Sequence, residues 1–143
     1  MYKYFDFFHL KIFEKDKKNA YTLSMKTAII GSRSIEDYAL LLQAIEGMTI
    51  TEVISGGAAG VDKMAERYAK EQGLPLTIIR PDWRKGKEAG PMRNQKIVEL
   101  ADQVLALWDG RSKGTTDTIR RTKKAGKPLK VLQIATKGQM QLF

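Results

Sequence analysis

The sequence predicts a doubly wound α/β domain, in which a five-stranded parallel sheet lies between two layers of helices. Short β-rich runs alternate with segments that have apolar residues at helical spacing, and glycine-bearing loops separate them. The β-rich runs are almost continuously apolar, as expected of strands buried on both faces. The length agrees, because 143 residues, 43% of them hydrophobic, suit one domain with one core. We expect this domain over residues 25–134, with a polar C-terminal tail over 135–143.

Residues 1–24 differ from the rest of the chain. They begin with closely spaced aromatic residues among charged ones and then become polar. Lys3, Asp6 and Lys11 interrupt the apolar stretch, so we do not expect it to be a secretory signal peptide. Met25 stands directly before the first predicted strand. We expect an N-terminal extension that the fold does not require; the alternatives are an added edge strand and an arm that binds a partner.

Predicted strands and helices alternate from residue 26 onward. The strands cover 26–30, 52–54, 76–79, 103–108 and 129–133, the helices cover 38–45, 61–72, 91–100 and 115–124, and 80–90 is a long loop. Each crossover returns the chain to the same end of the sheet, so the strands are expected to be parallel. A ligand of such a sheet binds beyond the carboxyl ends of the strands, where the strand order reverses. The loops after the first four strands are therefore expected to converge there.

The net charge favours an anionic partner. The chain has 25 lysines and arginines against 16 aspartates and glutamates, which gives +9, and a nucleotide or a nucleic acid would suit it. The basic clusters at 15–18 and 120–124 are interpreted first as solvated surface.

Composition excludes several kinds of site. There are no cysteines, so disulfides, a cysteine nucleophile and a thiolate metal site are excluded, and we predict no metal and no cofactor. The apolar runs are far shorter than the roughly 20 residues that cross a bilayer. We therefore expect a cytosolic protein without a membrane partner.

The first two loops predict an anion site. The first offers a turn glycine, a hydroxyl and a guanidinium, from Gly31, Ser32 and Arg33, although a capped helix start would look the same. The second carries small residues that leave backbone N–H groups open to a phosphate before a helix: Ser55, Gly56, Gly57, Ala58 and Gly60, followed by Asp62. It lacks the Walker A ending. Asp62 is interpreted as complementing the helix dipole, or as bonding a sugar hydroxyl or a neighbouring loop.

The third and fourth loops add groups that suit a base and a sugar. The third supplies Asp82, Trp83, Arg93 and Asn94, and Trp83 is expected either to stack on a base or to plug the edge of the sheet. The fourth supplies a second helix start suited to anions: Asp109, Gly110, Ser112, Gly114, Thr115 and Thr116. The candidate catalytic residues are Arg93, Asp109 and Asp117, where each carboxylate is either a hydrogen-bond anchor or a group that acts on a sugar.

In this order the four loops resemble the SLOG superfamily, which includes the Smf/DprA proteins, the LOG phosphoribohydrolases and the YspA/YpsA-related group. The resemblance covers residues 25–133, is strongest for the YspA-related members, and rests on the motifs at 31–33, 55–62, 82–86, 89–94 and 108–115. It implies a Rossmann-like fold with the strand order 3-2-1-4-5, a pocket for a nucleotide or nucleotide derivative, and a homodimer or larger assembly.

The resemblance also implies candidate functions. The first is binding of a nucleoside monophosphate or an ADP-ribose-like derivative, as a sensor, a sponge or a processing protein. LOG enzymes instead cleave the base from a nucleoside monophosphate with an arginine, which Arg93 matches, and a glutamate, which Thr118 replaces beside Asp117. Because N-glycosidic cleavage generally needs a carboxylate, this replacement argues against LOG-type hydrolysis.

A DNA-associated module is the remaining candidate, because the second loop also resembles the DprA motif. The final residues resemble the Gln-Leu-x-Leu-Phe peptide with which bacterial replication proteins dock on the sliding clamp. Gln139, Leu142 and Phe143 are therefore candidate partner-binding residues, and the alternative is a tail folded back on its own core.

Overall fold

The strands form one small sheet and one large one. The computed structural model describes residues 13–15, 21–135 and 140–142. In the small sheet, β1 (Phe13–Lys15) pairs antiparallel with β2 (Tyr21–Leu23). Within the described residues the large sheet has six strands, which are β3 (Lys26–Gly31), β4 (Glu52–Ser55), β5 (Leu76–Ile78), β6 (Gln103–Trp108), β7 (Leu129–Ile134) and β8 (Met140–Leu142).

The topology of the large sheet confirms the predicted fold class. Its order is β5-β4-β3-β6-β7-β8, and β3 to β7 are all parallel, which is the expected order 3-2-1-4-5. The helices that connect the strands are α1 (Tyr38–Ile45), α2 (Val61–Gln72), α3 (Ala89–Leu100) and α4 (Lys113–Ala125). The strand order reverses between β3 and β6, so the expected ligand position lies at their carboxyl ends.

The alternation of side chains along β3 separates two layers of core. Ile29 packs with Leu41 in the layer that contains α1 and α2. Ile30 points to the other face and packs with Ile97 and Ile119 from α3 and α4. Because successive strand residues point to opposite faces, this central strand is buried on both sides.

Two helices begin earlier than predicted. α3 begins at Ala89, and the predicted loop is shortened further because Trp83–Glu88 forms 3-10 turns. α4 begins at Lys113, since the side chain of Ser112 caps it by accepting a hydrogen bond from the backbone N–H of Thr115. Caps of this kind set a helix start that apolar spacing alone does not locate.

The C-terminal tail contributes a strand that the sequence pattern does not predict. β8 runs antiparallel to β7, with Leu142 opposite Leu132 and Met140 opposite Ile134. Gln139 and Phe143, the other two candidate clamp-binding residues, lie outside the described residues.

Candidate functional site

A cleft of about 420 Å³ lies at the switch point, where the loops after β3, β4 and β6 meet the first turns of α3 and α4. Ten of the predicted site residues line it: Gly31, Arg33, Ala58, Asp62, Arg93, Asn94, Asp109, Ser112, Gly114 and Thr115. Ile30, Ser34, Ile97 and Thr118 complete the lining. The folded chain therefore brings much of the predicted set into one cavity.

A second depression, of about 210 Å³, is formed by the loops after β4 and β5. Its lining consists of Arg33, Gly56, Gly57, Ala58, Arg80, Pro81, Trp83 and Arg93. Trp83 is 65% exposed, so its indole is not buried as a plug over the sheet edge. Arg33 and Arg93 line both the cleft and the depression. An anion between these two guanidinium groups would therefore border both cavities.

The glycine-rich turn, residues 55–60 after β4, holds two of the arginines in place. Nη1 of Arg93 donates to the carbonyl of Gly56, and its Nε donates to Oδ1 of Asn94 at 2.9 Å. Nη1 of Arg80 donates to the carbonyl of Gly57 at 3.4 Å. The guanidinium of Arg93 has five N–H donors, and the bonds to described residues use two of its nitrogens, so further donors are left for a ligand.

Burial and neighbouring charges shift the pKa of the Arg93 guanidinium. Burial lowers the pKa of its guanidinium, the neighbouring carboxylate of Asp62 opposes this, and the positive charge of Arg33 lowers the pKa further. Two guanidinium groups that repel each other in this way would both be stabilised by an anion placed between them.

Two backbone amides of the glycine-rich turn are already bonded within the protein. The N–H of Gly57 donates to Oγ of Ser55 at 3.1 Å, and the N–H of Ala58 donates to Oδ2 of Asp62 at 3.1 Å. The sequence predicted that both amides would be free to bind a phosphate. Side chains of the protein itself accept hydrogen bonds from both amides. Ser55 does so from the start of the turn, and Asp62 does so by reaching back from the first turn of α2.

Asp62 is a buried carboxyl that lines the cleft and is only 5% exposed. Burial raises its pKa to about 6, against the opposing effects of the Ala58 amide and of Arg93, while the carboxylate of Glu66 raises it further. Its Oδ1 has no hydrogen-bond partner among the described residues. With a pKa of about 6, Asp62 changes its protonation state in mildly acidic solution, inside the candidate site.

Asp109 and Asp117, the candidate catalytic carboxylates, are held by hydrogen bonds. Oδ1 of Asp109 accepts from the N–H groups of Arg111 and Ser112, each at 2.8 Å, and its Oδ2 accepts from Oγ of Ser34 at 2.9 Å. Partial burial raises the pKa of Asp109, but these donors outweigh it and leave the pKa below its ordinary value. Asp109 lines the cleft as an ionised anchor of its loop.

Asp117 lies on α4 and does not line the cleft. It accepts hydrogen bonds from Arg120 at 2.6 Å, from Arg121 at 2.8 Å and from Asn94 at 3.0 Å. Partial burial raises its pKa, and the three donors together bring it below the ordinary value. The carboxylate thereby positions Asn94, which does line the cleft.

Gly31, Gly60 and Ser32 hold the loops of the predicted site together, and of these three only Gly31 also lines the cleft. A Cβ on Gly31 would clash with the carbonyl oxygen of Leu107, so glycine is needed there for close packing between strands. Gly60 has a φ of 73°, and a Cβ on it would lie 2.5 Å from the carbonyl oxygen of Ser32. Ser32 is fully buried, and its Oγ accepts from the N–H of Asp109 at 3.0 Å.

Other predicted residues line neither cavity. Asp82 pairs with Arg84 at 2.8 Å and caps the 3-10 turns, and Oγ1 of Thr116 donates to the carbonyl of Ser112 at 2.9 Å. The full set outside both linings is Ser32, Ser55, Gly60, Asp82, Gly110, Thr116 and Asp117.

Arg80 is the basic residue that sequence reasoning missed. It lines the depression, two residues after the end of β5. The signal was available, since every residue that directly follows a parallel strand emerges at the same edge of the sheet. Among the described residues, no group of three or more histidine, aspartate or glutamate side chains could hold a metal ion. None of the helices described is long and apolar enough to cross a membrane.

Comparison with known proteins decides the family. The YspA, cpYpsA-related SLOG family matches residues 25–86, which include the first two loops and the start of the third. The Gene 61 protein of Mycobacterium phage D29 is 42% identical over 84 residues, which are 54% of this chain and 67% of that protein. This chain belongs to the YspA, cpYpsA-related SLOG family. The resemblance inferred from the four loops is thereby confirmed.

Solved structures of DprA share the fold of this SLOG chain. DNA processing protein A from Streptococcus pneumoniae superposes with a TM-score of 0.60 at 20% identity, over 81% of this chain and 51% of that protein. The Helicobacter pylori protein, whose structure concerns its single-stranded DNA binding mode, gives a TM-score of 0.59 at 24% identity, over 80% and 68%. This chain thus spans about half the length of the Streptococcus protein.

Proposed function

We propose that this SLOG protein binds single-stranded nucleic acid at the carboxyl edge of its sheet. A backbone phosphate lies between Arg33 and Arg93, and a neighbouring base stacks on Trp83. One observation carries the proposal: the two arginines border both the cleft and the depression, and an exposed indole lies in the same depression.

The arginines suit a phosphodiester. A guanidinium presents a planar fork of N–H donors that matches phosphate oxygens, and such charge-assisted bonds are stronger than neutral ones. Arg93 is held by the carbonyl of Gly56 and by Asn94, so little of its side-chain entropy is lost on binding. Arg33 is exposed and makes no ion pair among the described residues, so its charge is available.

Trp83 suits a base of any identity. Stacking of a base on an aromatic ring contributes about 1–3 kcal/mol and tolerates all bases, since each has a π-face. The charge of +9 assists a polyanion over a mononucleotide, because attraction adds along the strand. The Helicobacter pylori DprA, which has the same fold, binds single-stranded DNA, and this supports the same class of ligand here.

A free nucleotide or nucleotide derivative in the cleft is the second candidate. The supporting observation is that the cleft contains the buried Asp62, with an unpartnered carboxyl oxygen, beside the side chains of Asn94 and Thr115. Such groups could bond the hydroxyls of a sugar. Both candidates share the phosphate between Arg33 and Arg93 and differ in whether a strand continues beyond it.

The test is fluorescence anisotropy with a fluorescein-labelled oligothymidylate at several salt concentrations. We expect Arg33→Ala to weaken binding about tenfold and to reduce the slope of log K against log salt by about 0.7, the value for one phosphate contact on a single strand. Arg67→Ala is the matched control, because Arg67 carries the same charge on the outer face of α2, where it stacks on Tyr38 and pairs with Glu71. Equal losses in the two variants would contradict the proposed site.

Competition separates the two candidates. If thymidine monophosphate displaces the labelled strand at a similar concentration of phosphate groups, the site is built for the mononucleotide. If only longer strands compete, the nucleic-acid proposal stands. Release of free base from nucleoside monophosphates, followed by chromatography, tests the LOG-type hydrolase, which the hydrogen-bonded state of Asp109 and Asp117 does not favour.

Docking of the tail on a sliding clamp, a homo-oligomeric state and a cytosolic setting stay predictions. Leu142 is in β8, paired with β7, so clamp docking through this residue would require the tail to leave the sheet or to present its outer face.

A further inference from the structure

A groove of about 350 Å³ lies between α4, the end of β6 and the middle of β7, apart from the proposed nucleic-acid site. Its lining consists of Trp108, Thr116, Ile119, Arg120, Lys123 and Val131. No residue of this α4 groove lines the cleft or the depression.

The floor of the α4 groove is apolar. Trp108, Ile119 and Val131 supply it, and all three belong to the core layer on that side of the sheet. The Nε1–H of Trp108 is buried and has no acceptor among the described residues. A buried donor without a partner costs about 1–3 kcal/mol. Ile119 and Val131 are only 8% and 7% exposed and Trp108 is half-buried, so the floor is a recessed apolar surface that is open to solvent mainly at the indole.

The rim of the α4 groove is positively charged. Arg120 and Lys123 are exposed and lie about one turn apart on α4. Asp117 cannot neutralise this rim fully, because it is shared between Arg120 at 2.6 Å and Arg121 at 2.8 Å. Lys123 makes no ion pair among the described residues.

We propose that the α4 groove binds an acidic peptide of a partner protein, with an apolar or aromatic side chain on the floor and carboxylates beside Lys123 and Arg120. Charge complementarity selects this occupant. A nucleic acid would match the cations, but two of the three floor side chains, Ile119 and Val131, are aliphatic and offer a base no ring to stack on. A second copy of this chain carries +9, so long-range repulsion opposes self-association through a basic face.

Three synthetic peptides test the chemistry of the partner. The chain has two tryptophans, so in a Trp83→Phe background the selectively excited tryptophan fluorescence reports Trp108 alone. We expect Glu-Asp-Glu-Asp-Leu-Phe to bind and to change this fluorescence. The basic peptide Lys-Ser-Lys-Ser-Leu-Phe and the anchorless Glu-Asp-Glu-Asp-Ser-Ser should bind at least about tenfold more weakly, because each lacks one of the two complementary features. Equal affinity for the acidic and basic peptides, or no binding of any, would overturn the proposal.

Matched variants locate the peptide. Lys123→Glu should weaken the binding of the acidic peptide about tenfold, since an attraction between opposite charges becomes a repulsion. Lys124→Glu makes the same charge change on the same helix outside the groove lining and should alter affinity less than about twofold. Equal effects of the two substitutions on affinity would contradict binding of the peptide in the α4 groove.

Two further measurements test whether the α4 groove has a different occupant. Thr116→Phe places a ring in the groove from an exposed position and should block the peptide, while circular dichroism shows that the fold is kept. Arg33→Ala should leave peptide binding unchanged, so failure of the nucleic-acid proposal does not remove this one. Displacement of the peptide by an oligonucleotide in the Arg33→Ala variant, or dimerisation that Lys123→Glu abolishes, would overturn the assignment to an acidic peptide.

Discussion

The carboxylate of Asp62 accepts a hydrogen bond from the backbone N–H of Ala58 at 3.1 Å, across the glycine-rich turn. The turn therefore contains an acidic group of the protein itself, in a position where an open phosphate cradle would have free amides. Arg93 lies close enough to this carboxylate to oppose the effect of burial on its pKa. The balance of charge at the site consequently depends on whether Asp62 is ionised.

The first prediction concerns Asp62 and pH. Its pKa is raised from 3.8 to about 6, so the folded protein holds this proton more tightly than the unfolded chain does. The free energy of unfolding therefore falls as the pH rises from 3.8 through about 6. Above that range the total loss is about 3 kcal/mol. Asp62→Asn keeps an acceptor for Ala58 and removes the titration, so the variant should gain about 1–2 kcal/mol over the native protein between pH 5 and pH 8.

Urea unfolding at the two pH values measures the Asp62 effect. Asp117→Asn is the control, because the pKa of Asp117 lies below its ordinary value and contributes no change in this range. A difference between Asp62→Asn and the native protein that stays constant from pH 5 to pH 8 would show that Asp62 does not titrate there.

The second prediction separates two glycines with positive φ. Gly60 has φ 73°, and a Cβ there would lie 2.5 Å from two backbone carbonyl oxygens, whereas Gly73 has φ 66° and open space around it. Gly73→Ala should cost about 1 kcal/mol, from backbone strain alone. Gly60→Ala should cost about 3 kcal/mol or more, because its ψ of −124° lies outside the left-handed helical region that Gly73 adopts and because the β3 loop must also move. Similar unfolding free energies for the two variants would show that the close packing of the two loops contributes nothing.

The third prediction concerns Trp83, which is 65% exposed. Trp83→Ala should weaken the binding of oligothymidylate by about 1–3 kcal/mol, because the stacking of a base is lost. The thermal midpoint should barely move, because exposed side chains contribute within about 0.5 kcal/mol. Trp83→Phe should retain most of the affinity, since it keeps a π-face. Anisotropy titrations measure the affinity of both variants. An equal loss of affinity in Trp83→Ala and Trp83→Phe would argue against stacking.

The fourth prediction concerns a lysine that caps a helix. Nζ of Lys127 donates to the carbonyls of Val98 at 2.7 Å, Glu99 at 2.9 Å and Ala101 at 2.6 Å, at the end of α3. Lys127→Met keeps the aliphatic stem and leaves these carbonyls without their donor, so it should cost about 1–3 kcal/mol in urea unfolding. Lys124→Met, at an exposed position of α4, should change stability by less than about 0.5 kcal/mol. Equal effects would assign the loss to net charge alone.

Much of the fold follows from local patterns. Apolar runs and glycine positions predict the five parallel strands, and their order follows from the family resemblance and is confirmed. β8 was not predicted, because a three-residue strand at a tail has no periodicity of its own and forms by pairing with β7.

The candidate site was predicted less completely. Arg33 and Arg93 were predicted to bind ligand and do line the cleft, whereas Asp117 is tied to Arg120, Arg121 and Asn94 outside it. Arg80 directly follows the predicted third strand, so its place at the sheet edge was predictable, whereas the cavity that it lines depends on the course of the chain after β5.

The sequence by itself determined that this protein has a parallel sheet with glycine-rich loops at its carboxyl edge, because hydrophobic periodicity and turn glycines act over a few residues. The tertiary structure alone decided which groups face the cavity and which are bonded internally. The Oγ of Ser32 accepts from the N–H of Asp109, 77 positions along the chain, and the guanidinium of Arg93 donates to Gly56 across 37. Such partners are fixed by packing between distant segments, and no local pattern contains them.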